Sequence, residues 1–133
     1  MNLTTTASGV IVIAPTPFLP DGAIDGASID RMTDFFVASG MTGITVLGQL
    51  GEAPKLEHAE SVGIVRRVIA RASGLPIIVG VSAPGFAAMR ALTRDAMDAG
   101  AAGVMIAPPN TLRTDDQIAT YYQQASEIGR AHV

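Results

Sequence analysis

The sequence predicts an α/β fold, the first four units of a (β/α)8 barrel, and three observations carry that prediction. Four short runs rich in branched apolar residues, at 10–13, 44–47, 75–80 and 103–107, each lead into a stretch with apolar residues at helical spacing. The runs are apolar throughout rather than alternating, which suits strands of a parallel sheet covered by helices. Glycines placed to close the helices stand at 40, 74, 100 and 129, spaced by 34, 26 and 29 residues. Eight such units need about 250 residues, and a chain of 133 residues holds four. The competing fold is a four-stranded doubly wound sheet, which would be complete at this length. No Gly-x-Gly-x-x-Gly follows the first run, as a dinucleotide-binding sheet would require.

Taken in order, residues 1–8 are small and polar and are expected to be a flexible lead-in, with the half barrel spanning 9–133. The first strand, Val10-Ile11-Val12-Ile13, is stopped by Pro15 and Pro17, each of which removes a backbone donor. Pro20-Asp21-Gly22 is a turn, and Asp25 caps a helix that turns Ile29, Met32 and Phe36 inward and closes at Ser39-Gly40. The second helix is expected to bury Val62, Val65, Ile69 and Ala72 and to end at Gly74. The third buries Met89, Leu92, Ala96 and Ala99 and ends at Gly100. Thr114 and Gln117 have capping-box spacing ahead of a fourth helix with Ile118, Tyr121, Ala125 and Ile128 inward, ending near Gly129.

Composition narrows the function. With 48% hydrophobic and 16% charged residues the chain is globular rather than disordered. A net charge of −3 and the lack of an arginine run give no surface for nucleic acid. There is no cysteine, which excludes disulfides, thiol catalysis and thiolate metal sites, and His58 and His132 are too far apart to suggest a histidine metal cluster. No run approaches the roughly 20 apolar residues that cross a bilayer, and residues 1–8 carry no signal-peptide core. A cytoplasmic protein without membrane association is the expectation.

The stretch on which function centres is Gly43-Ile44-Thr45-Val46-Leu47-Gly48-Gln49-Leu50-Gly51-Glu52. Its apolar half reads as a buried strand, and its glycine-rich half as a turn where Gly48 and Gly51 bring backbone close to a ligand. In parallel α/β folds, sites gather where strands end at their carboxyl termini. Thr16, Gln49, Leu50, Ser82 and Asn110 each follow a strand and are expected around one mouth. Among the charged residues, Lys55, the only lysine, reads as an exposed residue ahead of a helix. Glu52 reads as a structural carboxylate bonding backbone amides, with acid–base work the other possibility. Arg66, Arg67 and Arg71 read as the wet face of the second helix, and His58 as solvated. Tyr121 and Tyr122, adjacent on a helix, should point one inward and one outward, as packing residues rather than catalysts.

Thr16-Pro17-Phe18, then Gly22-Ala23-Ile24-Asp25, then Gly48-x-x-Gly51-Glu52 resembles the opening of the dihydrodipicolinate synthase and N-acetylneuraminate lyase family. Leu56, Glu60, Pro76, Gly80, Ala99-Gly100-Ala101 and Pro108-Pro109 fit the same pattern, so the resemblance runs from Gly9 almost to the end. It implies a (β/α)8 barrel and class I aldolase chemistry, in which a sixth-strand lysine forms a Schiff base with a 2-oxo acid such as pyruvate. That lysine would lie beyond Val133, so no catalytic residue falls within the chain. The resemblance gives the substrate-carboxylate role to Gly48, Gln49, Leu50 and Gly51, with Thr16 beside them. It also implies a homotetramer and no cofactor or metal.

The chain departs from the family pattern at two places within its length, and the family's Schiff-base lysine and strand-five tyrosine would both lie beyond Val133. Two threonines usual in the family turn are replaced by Gln49 and Leu50, and a tyrosine usual after the fourth-strand proline is replaced by Asn110. Gln49 keeps a donor and an acceptor, Leu50 keeps neither, and Asn110 remains a candidate substrate contact. These changes weigh against the dihydrodipicolinate synthase reaction itself. They leave two readings: a Schiff-base lyase or aldolase with another substrate, or a paralogue that binds or supports without catalysing.

Overall fold

The computed structural model describes residues 3–130; His132 and the chain end at Val133 fall outside that range. The elements follow in strict alternation: β1 (Ile11–Ile13), α1 (Gly26–Ala38), β2 (Gly43–Val46), α2 (His58–Arg71), β3 (Ile77–Gly80), α3 (Phe86–Asp98), β4 (Gly103–Met105) and α4 (Asp115–Arg130). A short 3₁₀ turn (Ala53–Lys55) joins β2 to α2. All three strand pairings are parallel, and the sheet order is β1-β2-β3-β4. A doubly wound sheet would reverse its strand order about the first strand, so that alternative is excluded. The chain folds as four consecutive βα units of a (β/α)8 barrel.

Local chemistry explains the helix boundaries. The Asp25 carboxylate accepts from the Ser28 amide at 3.0 Å and the Ser28 hydroxyl at 2.6 Å, which starts α1. Bonds from Ser28 hold the Asp25 carboxyl below its usual pKa of 3.8. Glu57 and Glu60 form a reciprocal capping box at α2. Gln117 Oε1 accepts from the Thr114 amide and Thr114 Oγ1 accepts from the Gln117 amide, both at 3.2 Å, as the spacing predicts. Gly40, Gly74 and Gly100 take φ of 77°, 83° and 102°, the left-handed turn that lets a chain leave a helix. Gly129 does not do so: α4 runs through it to Arg130.

The sheet has two unlike faces. Register sets Val12, Ile44, Val46, Ile77, Val79 and Val104 toward the helices, and the strand residues of this set in β2 and β3 are buried. They pack with Ile29 and Phe36 of α1, Val65 and Val68 of α2, Met89 and Ala96 of α3, and Tyr121 and Ala125 of α4. The opposite face carries Ile11, Ile13, Thr45, Ile78, Gly80 and Met105. Of these, Ile11, Ile13 and Met105 are exposed.

The α2 stripe differs from the one expected. Ser61, Ile64, Val65, Val68 and Ala72 are buried, while Val62 and Ile69 sit half-buried on the flank. Both sets have helical spacing; a serine within the true stripe disguised it. Arg67 and Arg71 are not simply a wet face either. Arg67 grips Asp30 at 2.7 and 2.8 Å, and Arg71 grips Asp34 at 2.6 Å twice, clamping α2 to α1. One face over, His58 Nε2 lies 2.7 Å from Asp95 Oδ2 and links α2 to α3. Ahead of β1, the Leu3 amide donates to the Ala102 carbonyl at 3.1 Å, beside the start of β4.

Candidate functional site

Parallel strands bring their carboxyl ends to one rim, and β2 delivers the glycine-rich turn there. The turn is not shaped by its glycines as the sequence suggests. Positive φ falls on Leu47 (58°) and Glu52 (54°), the two residues that flank the glycine pair. A bulky residue in that region costs on the order of 1–3 kcal/mol and persists only where its surroundings enforce it. Here Leu47 is buried, and its backbone is enclosed on two sides. A Cβ on Gly51 would come within 3.1 Å of Leu47 N, and one on Gly80 within 2.1 Å of Leu47 O. Gly48 is less constrained. A Cβ there would meet Met105 Cε at 3.5 Å and Ile13 Cγ2 at 3.8 Å, ordinary contact distances.

Thr16 supports this turn from the loop after β1. Its buried hydroxyl donates to the Gly51 carbonyl at 2.6 Å across 35 residues of sequence. The Glu52 amide donates to the Gln49 carbonyl at 3.0 Å, closing the turn. The amides of Gly48, Gln49, Leu50 and Gly51 meet no protein acceptor among the described residues. Gly48 and Gly51 are buried, and Gln49 and Leu50 stand out at the surface. Such a run of free donors at a strand's end is what an anionic group can use.

The other mouth loops are braced from behind. Ser82 Oγ accepts from the Ala107 amide at 2.7 Å, tying the end of β3 to the loop after β4. Tyr121 donates its hydroxyl to the Ala83 carbonyl at 3.2 Å and stacks on Phe86 with ring centres 5.5 Å apart. Burial, and to a lesser degree Tyr122 beside it, raises the Tyr121 phenol above its usual pKa of 10.0. Tyr122 reaches the Ile106 carbonyl at 3.5 Å. The two tyrosines do split inward and outward, but both hold mouth loops, which helical spacing alone does not show. Asn110 is exposed in the loop after β4, on the same rim as Gln49.

Thr16, Gly48, Gln49, Leu50 and Gly51 thus form one unit, with Ser82 and Asn110 on adjoining loops. The hydroxyls of Thr16 and Ser82 are already engaged with backbone, which makes them supports for the rim. Glu52 bonds Lys55 rather than backbone amides, and it caps no amide of the 3₁₀ turn that follows it. Lys55 is exposed in that ion pair. No group of three or more metal-ligating side chains occurs among the described residues. No helix among them is long and apolar enough to cross a membrane. An open groove lined by Ile24, Gly26, Glu60, Gly63 and Arg67 lies on the outer side between α1 and α2, and it includes none of the mouth residues.

Comparison with known proteins agrees with this architecture. A sequence model of the dihydrodipicolinate synthetase family matches residues 6–130. A 4-hydroxy-tetrahydrodipicolinate synthase of Sorangium cellulosum is 36% identical over 124 residues, covering 92% of this chain and 38% of that protein. The crystal structure of a dihydrodipicolinate synthase from Rhodopseudomonas palustris superposes with a TM-score of 0.90 at 62% identity, covering 96% of this chain and 42% of the other. A chloride-inhibited synthase from Acinetobacter baumannii, solved in complex with pyruvate, gives a TM-score of 0.83 at 29% identity, covering 90% of this chain and 42% of that one. The chain spans 35% and 38% of the length of two of the curated synthases it matches. A family match over almost the whole chain, with the same half-barrel backbone, makes it a member of the dihydrodipicolinate synthetase family.

Proposed function

We propose that the protein carrying this chain is a class I lyase or aldolase acting on a 2-oxo acid such as pyruvate. Its Schiff-base lysine would lie beyond Val133. The observation that carries the reading is the set of unpaired amides at Gly48, Gln49, Leu50 and Gly51 on the carboxyl rim of a parallel half barrel. They offer a fixed cradle for the carboxylate of a 2-oxo acid, with Thr16 holding the Gly51 carbonyl out of the way.

With the carboxylate so held, the lysine amine adds to the C2 ketone and water leaves, giving a protonated imine. Loss of a proton from C3 places the electron pair in an enamine, which attacks an aldehyde carbon to form the new bond. Hydrolysis of the imine frees the lysine and the product. The lyase direction is the same path reversed. No cofactor or metal enters these steps. A homotetramer in the cytoplasm is the proposed state, by analogy with the family.

Leu50 has no hydroxyl for a proton relay, and Asn110 stands where the family pattern has a phenol. Both features support a reaction other than dihydrodipicolinate synthesis. They are also the ground for the second reading, a non-catalytic paralogue. Sodium borohydride reduction of the full-length protein with pyruvate separates the two. Trapped pyruvate on one lysine, seen by intact mass and peptide mapping, is the expected result. No adduct at saturating pyruvate would favour the paralogue.

A further inference from the structure

Two hydrogen bonds to distant residues fasten the stretch that runs from the glycine-rich turn into α2. At its start the Thr16 hydroxyl donates to the Gly51 carbonyl at 2.6 Å. At its end His58, the first residue of α2, donates from Nε2 to Asp95 Oδ2 of α3 at 2.7 Å. Among the described residues, the other hydrogen bonds of residues 52–57 are local. Glu52 bonds Gln49 and Lys55, the Lys55 and Leu56 amides turn back to Glu52 and Ala53, and Glu57 pairs with Glu60 and Ser61. The helices α2 and α3 each pack between two helices of this chain, α1 and α3 for the first, α2 and α4 for the second. The His58–Asp95 bond is therefore set by neighbours that the chain itself supplies.

Asp95 is a firm anchor. It lies between Thr93 and Ala96, both of which α3 buries. The bond from His58, and then one from Arg94, hold its carboxyl below the usual 3.8 against the opposing effect of burial, so it stays charged at neutral pH. Between the two fastened ends stands Glu52, with φ of 54°. A residue other than glycine keeps that conformation only while its surroundings enforce it. The Glu52 side chain bonds only Lys55, itself exposed, so the enforcement comes from how the chain is held on either side. With the first turn of α2 free to shift, Glu52 relaxes toward ordinary backbone and carries the Gly51–Glu52 peptide with it. That peptide bears the carbonyl held by Thr16, so the turn amides lose the support that fixes them.

We propose that His58 and Asp95 are positioning residues for the substrate carboxylate. Their bond pins the start of α2 to α3 and so holds the amides of Gly48, Gln49, Leu50 and Gly51 in place for a 2-oxo acid. This rests on the Schiff-base reading and deepens it. Neither residue touches the substrate; the pair acts through the turn.

The test is borohydride trapping of the full-length protein over a range of pyruvate concentrations, read as the concentration that gives half-maximal adduct. His58→Ala and Asp95→Ala should each raise that concentration at least about threefold. Adduct yield at saturating pyruvate should stay the same, because the lysine is untouched. His58→Gln keeps an N–H donor and should restore most of the affinity. The double alanine variant should be no worse than either single one, since both remove the same bond. Asp34→Ala is the control. It cuts a bond of the same kind between α1 and α2, should lower the melting temperature, and should leave half-saturation where it was. Unchanged half-saturation in both His58→Ala and Asp95→Ala, or an equal rise in Asp34→Ala, overturns the proposal and reduces the pair to helix packing. Failure to trap any pyruvate in the unaltered protein overturns the Schiff-base reading, and the positioning role falls with it.

Discussion

Gly80 faces the carbonyl oxygen of Leu47 so closely that a Cβ would lie 2.1 Å from it. Contact at that distance is with backbone, which cannot rotate aside as a side chain can. Gly80→Ala is therefore expected to displace the Leu47–Gly48 peptide and to destabilise the full-length protein by about 1–3 kcal/mol, as overpacking does. Denaturant unfolding measures the loss. Because the displaced peptide opens the turn, pyruvate affinity should fall as well. A variant with unaltered stability and affinity would show that the left-handed turn at Leu47 does not depend on this contact.

Thr16 permits a sharper separation of packing from hydrogen bonding. Thr16→Val keeps the shape and leaves the buried Gly51 carbonyl without its donor, at a cost of about 1–3 kcal/mol. Thr16→Ser restores the donor and should recover most of that loss. The pair of denaturation midpoints decides whether the 2.6 Å bond, rather than the methyl group, holds the turn.

The outer helices predict the acid side of the stability curve. Hydrogen bonds from Arg67 and Arg71 lower the pKa of Asp30 and Asp34 from 3.8, and a bond from His58, followed by one from Arg94, lowers that of Asp95. A carboxyl whose folded pKa lies below its unfolded value adds stability that is complete above the unfolded value, here 3.8, and is lost as pH falls through the folded one. The melting temperature should thus hold steady from neutral pH to about pH 5 and drop below pH 4. Asp30→Asn with Asp34→Asn should be less stable at neutral pH and show a shallower acid slope. Added salt should weaken the difference, since all these groups are partly exposed.

Expressed alone, the 133-residue chain should neither catalyse nor remain monomeric. Lys55 is paired with Glu52 and exposed, so pyruvate with borohydride should leave its mass unchanged. The exposed Ile11, Ile13 and Met105, together with the outward edges of β1 and β4, favour pairing with another copy. Light scattering and analytical ultracentrifugation report on this. A monodisperse monomer with one cooperative melt would show that four units suffice as a stable domain.

Much of this architecture is readable from residue spacing. Parallel order followed from apolar runs alternating with helical stretches, and the helix ends at Gly40, Gly74 and Gly100 from the need for a left-handed residue. What spacing hides is anything set by a partner far along the chain. Arg67 and Arg71 look like solvated charges until α1 brings Asp30 and Asp34 beside them. The turn misled for a related reason: glycine marks where strain is cheap, whereas Leu47 and Glu52 carry the unusual backbone because Gly51 and Gly80 leave room for it. Tyr121 and Tyr122 belong to a helix in sequence and to the mouth in space.

The helix-to-helix links share one offset. Asp30 with Arg67, Asp34 with Arg71 and His58 with Asp95 are each separated by 37 residues. Two of these bonds tie α1 to α2 and the third ties α2 to α3, like hoops around a cask. Every loop at the working rim lies between hoops and contributes to none of them. Exchange of residues at Gln49, Leu50 or Asn110 leaves the hoops untouched, so new chemistry can be tried at the rim while the staves stay in place.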